Sequence, residues 1–139
     1  MKILLIFFIF SSHFSFGQNM EKHLWKNRVL LISTSDENSQ ELEKQFAILE
    51  KHPKELLERK IIIYSFTKKS YKLNFDNNWK KSEELFSSFI PKKDVFTIRL
   101  IGLDGGIKLE QNRVLSSEKL FTVIDGMPMR KNEIRKNNQ

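Results

Sequence analysis

The sequence predicts an α/β fold: a central mixed sheet of about four strands, built from a βαβ unit, a helix, a β-hairpin and a C-terminal helix, with helices on both faces. Three observations carry this. Two β-favouring runs, Val29–Ile32 and Ile61–Phe66, flank a stretch whose apolar residues recur at helical spacing, as in two parallel strands joined by a crossover helix. Between Phe96 and Arg130, two more β-type runs are joined by Asp104-Gly105-Gly106 and followed by an amphipathic segment that stops at Gly126 and Pro128. The chain has 139 residues and is 40% hydrophobic, enough to close one core without disulfide or metal staples.

Met1 to Gly17 has the make-up of a secretory signal peptide. Lys2 supplies the positive charge, Ile3–Phe10 the apolar run, and Ser15-Phe16-Gly17 a small-x-small cleavage site, so the mature chain is expected to begin near Gln18. That run is too short for a permanent membrane span, and no cysteine follows it to be lipidated. The chain is therefore expected to be exported, periplasmic or extracellular, with no stable membrane span once the signal is removed.

In the remainder, Trp25–Ser33 reads as a central strand because Val29–Ile32 is apolar on both faces. Thr34-Ser35-Asp36-Glu37 matches a capping box, so a helix is expected to start there and to bury Leu42, Phe46 and Leu49 until His52-Pro53 interrupts it. Pro53–Leu57 suits one more helical turn, with Pro at its first position. Ile61–Phe66 is the second strand. Thr67–Phe75 alternates Tyr71, Leu73 and Phe75 with polar neighbours, as an edge strand or an extended loop does. A second helix is expected over Trp79–Ile90, capped by Asn77 or Asn78 and stopped by Pro91. Val95–Ile101 and Ile107–Glu110 form the hairpin, and Ser117–Asp125 is a helix burying Leu120, Phe121 and Ile124, ended by Gly126. These elements divide the chain into the signal peptide (1–17), one domain (18–130) and a basic tail (131–139) with only Ile134 to bury, expected to be disordered.

The absence of cysteine removes disulfides, thiolate metal sites and thiol chemistry together. A formal charge of +7 favours anionic partners, but the lysines are scattered along the whole chain. That pattern, with export, argues against a nucleic-acid partner.

The order of elements is the thioredoxin-like arrangement. In addition, WKNRVLLIS at Trp25–Ser33, FTIRLIGLDGGIKLE at Phe96–Glu110 and FTVIDGMPMRKNE at Phe121–Glu133 resemble the blocks of a secreted domain family of unknown function. That family is called DUDES in its prokaryotic form and is shared with vertebrate extracellular-matrix proteins bearing sushi repeats. The resemblance spans Gln18 to about Arg135, and the DGG-x-K and IDxMPMR blocks are its most specific part. It implies a thioredoxin-like fold, export and no established activity, with a relation to thioredoxins and peroxiredoxins in shape only. Where redox-active members place their nucleophilic cysteine, after the first strand, this chain has Ser33-Thr34-Ser35-Asp36.

No catalytic constellation, cofactor motif or metal-ligand spacing stands out. Asp104-Gly105-Gly106 offers one carboxylate, too few for a Ca²⁺ loop, and reads as a hairpin turn. Met127 and Met129 are expected in the core, and His23 and His52 in solvent. Ser33, Thr34 and Ser35 lack a nucleophile elbow and are assigned to helix capping. Arg28, Arg99 and Arg130 stand in or beside apolar blocks, where a charge is costly unless paired, with Asp104, Asp125 and Glu133 as nearby acids. Two accounts stay open: structural ion pairs at the rim of the sheet, which is preferred, or an arginine-lined cleft for a carboxylate or phosphate. For Arg99 the expected partner is Asp125. The function these features suggest is a secreted, non-catalytic thioredoxin-like module that binds a protein partner or an anionic ligand. The alternatives are an enzyme with an Arg/Asp-lined site and a polyanion binder acting through its basic surface.

Overall fold

A computed structural model describes residues 20–82, 89 and 95–139. The expected signal peptide, 1–17, lies outside them. Six strands form one sheet: β1 (Arg28–Ser33), β2 (Ile61–Phe66), β3 (Ser70–Leu73), β4 (Lys80–Lys81), β5 (Thr97–Ile101) and β6 (Ile107–Gln111), in the spatial order β4-β3-β2-β1-β5-β6. β1 pairs parallel to β2 and antiparallel to β5, so every residue of it is buried. The helices are α1 (Gln40–Leu49), α2 (Pro53–Glu58), α3 (Ser117–Asp125) and α4 (Pro128–Asn137).

The two faces of the sheet carry different cores. Leu30, Ile32, Ile61, Ile63, Ile98 and Leu100 point to one side, where Leu42, Phe46 and Leu49 of α1, Leu56 of α2 and Leu120 and Ile124 of α3 cover them. Val29, Leu31, Tyr64, Phe66 and Ile101 point to the other and meet Met20 and Phe89. Strand alternation alone decides this division. On the helix side, the buried Gln45 donates to Leu115 O at 2.9 Å and accepts from Leu115 N–H at 2.7 Å. It thereby replaces a missing backbone pair and ties α1 to the segment that leads into α3.

Four expectations are corrected. The sheet has six strands instead of about four, because Thr67–Phe75 contributes β3 and Lys80–Lys81 adds β4 at its edge. The helix expected over Trp79–Ile90 is therefore a strand at its start, and most of its remaining length lies outside the described residues. Thr34 is not the first helix's cap: its hydroxyl donates to Asp36 O, the Asp36 carboxylate accepts from Asn38 N–H, and Ser39 caps α1 by accepting from Leu42 N–H at 3.1 Å. Asp36 forms a local turn that competes with helix and delays its start. The tail is not disordered, since α4 runs through Pro128–Asn137 and extends the folded domain past residue 130.

At the hairpin, Gly105 adopts φ 82°, which a side chain would oppose. At Gly102 a Cβ would stand 2.5 Å from Cε of Lys108, whose flexible side chain folds back across it and would have to move.

Candidate functional site

The N-terminal end of β1 is a charged junction. The turn after α2 bends through Lys60, at φ 55°, and offers two carbonyls to Arg28: Lys60 O accepts from its backbone N–H at 2.9 Å, and Arg59 O from its Nη1 at 3.0 Å. Nη1 also faces both carboxylate oxygens of Glu133 at 3.3 Å. Arg130, 2% exposed, reaches Glu58 at 2.7 Å, Asp125 at 3.2 Å and Glu133 at 3.4 Å. Arg59 grips Asp125 through Nε at 3.0 Å and Nη2 at 2.8 Å while lying 4.4 Å over the Phe121 ring. Lys60 adds a longer contact to Glu133 at 3.6 Å. Four cations, Arg28, Arg59, Lys60 and Arg130, thus share three carboxylates, Glu58, Asp125 and Glu133.

The electrostatics follow from this crowding. Burial raises the Asp125 carboxyl, but hydrogen bonds from Arg59 and Arg130 outweigh that and hold it below the ordinary carboxylate range. Burial likewise works against the Arg130 charge, and the bonds to Glu58, Asp125 and Glu133 more than reverse it.

Beyond this cluster Arg28 remains incompletely satisfied. It is 0% exposed, yet its Nε and Nη2 have no hydrogen-bond partner among the described residues. The same side chain lines a cleft of about 650 Å³. One wall is the hairpin, with Leu103, Asp104 and Lys108; the other is the α3–α4 junction, with Val123, Met127 and Met129. Asp104 does not make this cleft acidic. It accepts from Gly106 N–H at 2.9 Å and from Lys108 at 2.9 Å, and these two contacts, in that order, hold its carboxyl below the usual range. α4 begins at the cleft with Pro128 and no side-chain cap.

Other clefts are built from engaged groups. At the C-terminal end of β1, Ser35, Asp36, Lys68 and Ser70 border a space of about 370 Å³, with Ser35 and Asp36 occupied in the turn that precedes α1. A third cleft of about 520 Å³ carries Glu37, Glu43 and Glu50 opposite Lys72. The Lys72 ammonium lies 4.2 Å over the Phe46 ring and 5.2 Å from that of Trp79, and burial pushes its pKa down.

Of the residues singled out in the sequence, Arg28, Asp125, Arg130 and Glu133 come together, and Arg99 does not. Arg99 pairs across the hairpin with Glu110 at 3.0 Å and donates to Phe89 O. The expected Arg99–Asp125 pair is wrong for a simple reason: α3 packs on the Ile98/Leu100 face, and alternation turns Arg99 to the other. Asp104 serves the turn, as expected. His23 is half-buried instead of solvated, bonded to Tyr64 at 2.7 Å and Asn27 at 3.1 Å, while His52 packs on Phe121. Met127 packs partly against the core, but Met129 is 41% exposed and both border the cleft. Glu58, Arg59 and Lys60 had no linear signal, being a charge run of a kind that usually faces solvent, and Lys108 stood in the DGG-x-K block without being read as a site residue.

A family model described as Domain of unknown function (DUF4174) matches residues 19–133. No curated protein matches the sequence. Among solved structures, the chain is similar to the reduced 2-Cys peroxiredoxin of Plasmodium vivax at a TM-score of 0.58 and 14% identity, covering 81% of this chain and 84% of that one. At that identity the likeness establishes the fold, which is thioredoxin-like and here lacks cysteine altogether.

Removing Glu133 leaves Arg28 buried without its carboxylate, so Glu133→Ala is expected to cost about 3–5 kcal/mol, whereas Glu110→Ala removes a more exposed pair worth about 1 kcal/mol or less. Urea titrations measure both. In the same assay Arg99→Ala and Asp125→Ala should add within about 0.5 kcal/mol. Because the native Asp125 carboxyl titrates below its unfolded value near 3.8, its stabilisation is complete above that pH and is lost as pH falls through the lower native value. Urea midpoints between pH 6 and pH 2 should therefore fall more steeply in wild type than in Asp125→Asn.

Proposed function

Because the chain belongs to the DUF4174 family, a domain of unknown function, we propose its role from its own geometry: a secreted, non-catalytic thioredoxin-like module that binds an anionic ligand in the cleft beside Arg28. The observation that carries this is the fully buried Arg28 side chain, which lines the cleft and has two nitrogens, Nε and Nη2, without a hydrogen-bond partner among the described residues. Unmade hydrogen bonds from a buried charged group are costly, and a carboxylate or phosphate oxygen is the partner that matches a guanidinium edge. The cluster supports the same reading, since its cations outnumber its carboxylates by one. Catalysis fits poorly: Asp104, the carboxylate on the wall, is held ionised by Gly106 and Lys108 and is a weak base near neutral pH.

Export rests on the Met1–Gly17 pattern and on its block resemblance to the secreted DUDES-type domains. No helix among the described residues is long and apolar enough to cross a membrane. A chain recovered outside the cytoplasm with Met1–Gly17 intact would contradict signal cleavage.

The binding test uses Arg28→Lys, which keeps a cation for Glu133 and lacks the Nε and Nη2 donors. Acetate, compared with chloride at equal ionic strength, should raise the wild-type melting temperature by mass action and leave Arg28→Lys at the chloride value. Equal responses in the two proteins would overturn the assignment.

A further inference from the structure

The cleft's chemistry is uneven, and the unevenness indicates what kind of anion fits. Its polar end is narrow in composition: Arg28, whose Nε and Nη2 lack a partner among the described residues, and Lys108, already bonded to Asp104 at 2.9 Å. Apart from Thr122 and two glycines, the rest of the wall is apolar, with Leu103, Val123, Met127, Pro128 and Met129. Met129 and the nearby hairpin residue Ile107 are exposed, at 41% and 57%. Leu103 is also held from outside the cleft. The backbone N–H of Trp25 donates to Leu103 O at 2.8 Å, with Trp25 at φ 64° and its side chain 64% exposed. A bulky residue at positive φ is strained, and such strain concentrates where a surface is held in place for function.

A multiply charged ligand does not suit this arrangement. A phosphate or a polyanion needs several free cations, whereas the cleft's second cation is neutralised and its walls offer hydrocarbon. We propose that the ligand is an amphipathic monocarboxylate, a free molecule with one carboxylate on Arg28 and an unbranched or aryl apolar body against Leu103, Val123 and the two methionines. The inference rests on the anion-binding reading above and narrows it. Methionine walls suit such a body, because their unbranched, polarisable side chains adapt to chains of different shape. A volume of about 650 Å³ lies within the range of small-molecule pockets.

The test is a length series on the whole mature chain: acetate, hexanoate, octanoate and decanoate, each below its micelle concentration, with the matching alcohols and inorganic phosphate, measured by titration calorimetry. Affinity for the acids is expected to rise about fourfold per added methylene, the ratio that about 0.8 kcal/mol per buried CH₂ gives, until the cleft is filled. Each alcohol should bind at least about tenfold more weakly than its acid, the loss of one charge-assisted bond. Met129→Gln, at a half-exposed position that should not disturb folding, is expected to flatten the length dependence. If acetate and phosphate bind as well as decanoate, the anion site stands and the amphipathic ligand is refuted. If alcohols match their acids, or nothing binds, both the ligand class and the anion-binding reading fail.

Discussion

Placing a guanidinium at the buried start of the central strand is the constraint on which one end of this fold depends. Arg28 opens β1 on the helix-covered face and cannot reach solvent. Its charge must be met from within, and the chain meets it with the α2–β2 turn, which supplies carbonyls, and with Glu133 of α4, which supplies a carboxylate. Glu133 and Arg130 sit three residues apart, one helical turn, so the same turn that serves Arg28 carries the second buried arginine. α4 has little apolar surface to bury, and a helix of that kind is held by its pairs instead of by a core stripe. That explains why a segment with the composition of a loose tail is ordered as helix.

Much of the fold was legible because burial on two faces leaves a local mark. Ile61–Phe66 and Ser117–Asp125 lie where their patterns put them, and the Asp104-Gly105-Gly106 turn joins the strands it predicts. The misses share a cause: a short-range pattern with two readings, one of which tertiary structure selects. Thr34 and Glu37 match a capping box, but Asp36 finds Asn38 N–H first, and Ser39 caps the helix. Lys80–Lys81 has no strand signal of its own and is a strand because β3 lies beside it. The site was half legible. Charged residues inside apolar blocks identified Arg28 and Arg130, since burial makes an unpaired charge expensive wherever it occurs. Their partners Glu58, Arg59 and Lys60 could not be found this way, because 66 residues separate Arg59 from Asp125 and only the packing of α3 beside α2 joins them. The Arg99 error shows the same limit from the other direction: its side chain alternates away from the face that α3 covers, and which face that is was not readable from the sequence.

The thioredoxin-like fold, without cysteine, leaves the C-terminal end of β1 to a turn of hydroxyls and Asp36 that precedes α1. Among the described residues, a buried and incompletely satisfied guanidinium, that of Arg28, lies instead at the opposite end of that strand, beside the cleft between the hairpin and the α3–α4 junction. Such a fold can carry a site at either end of its central strand, because the sheet positions side chains at both ends equally well.

The most direct test of the site proposed at Arg28 is amide chemical-shift mapping of the mature chain titrated with decanoate. Binding at the Arg28 end predicts saturable shifts concentrated in Gly102–Lys108 and Val123–Arg130, with little change at Ser35–Asn38 and Thr67–Ser70. Saturable shifts centred on Ser35–Asn38 and Thr67–Ser70, with the Arg28 end unmoved, would contradict the account.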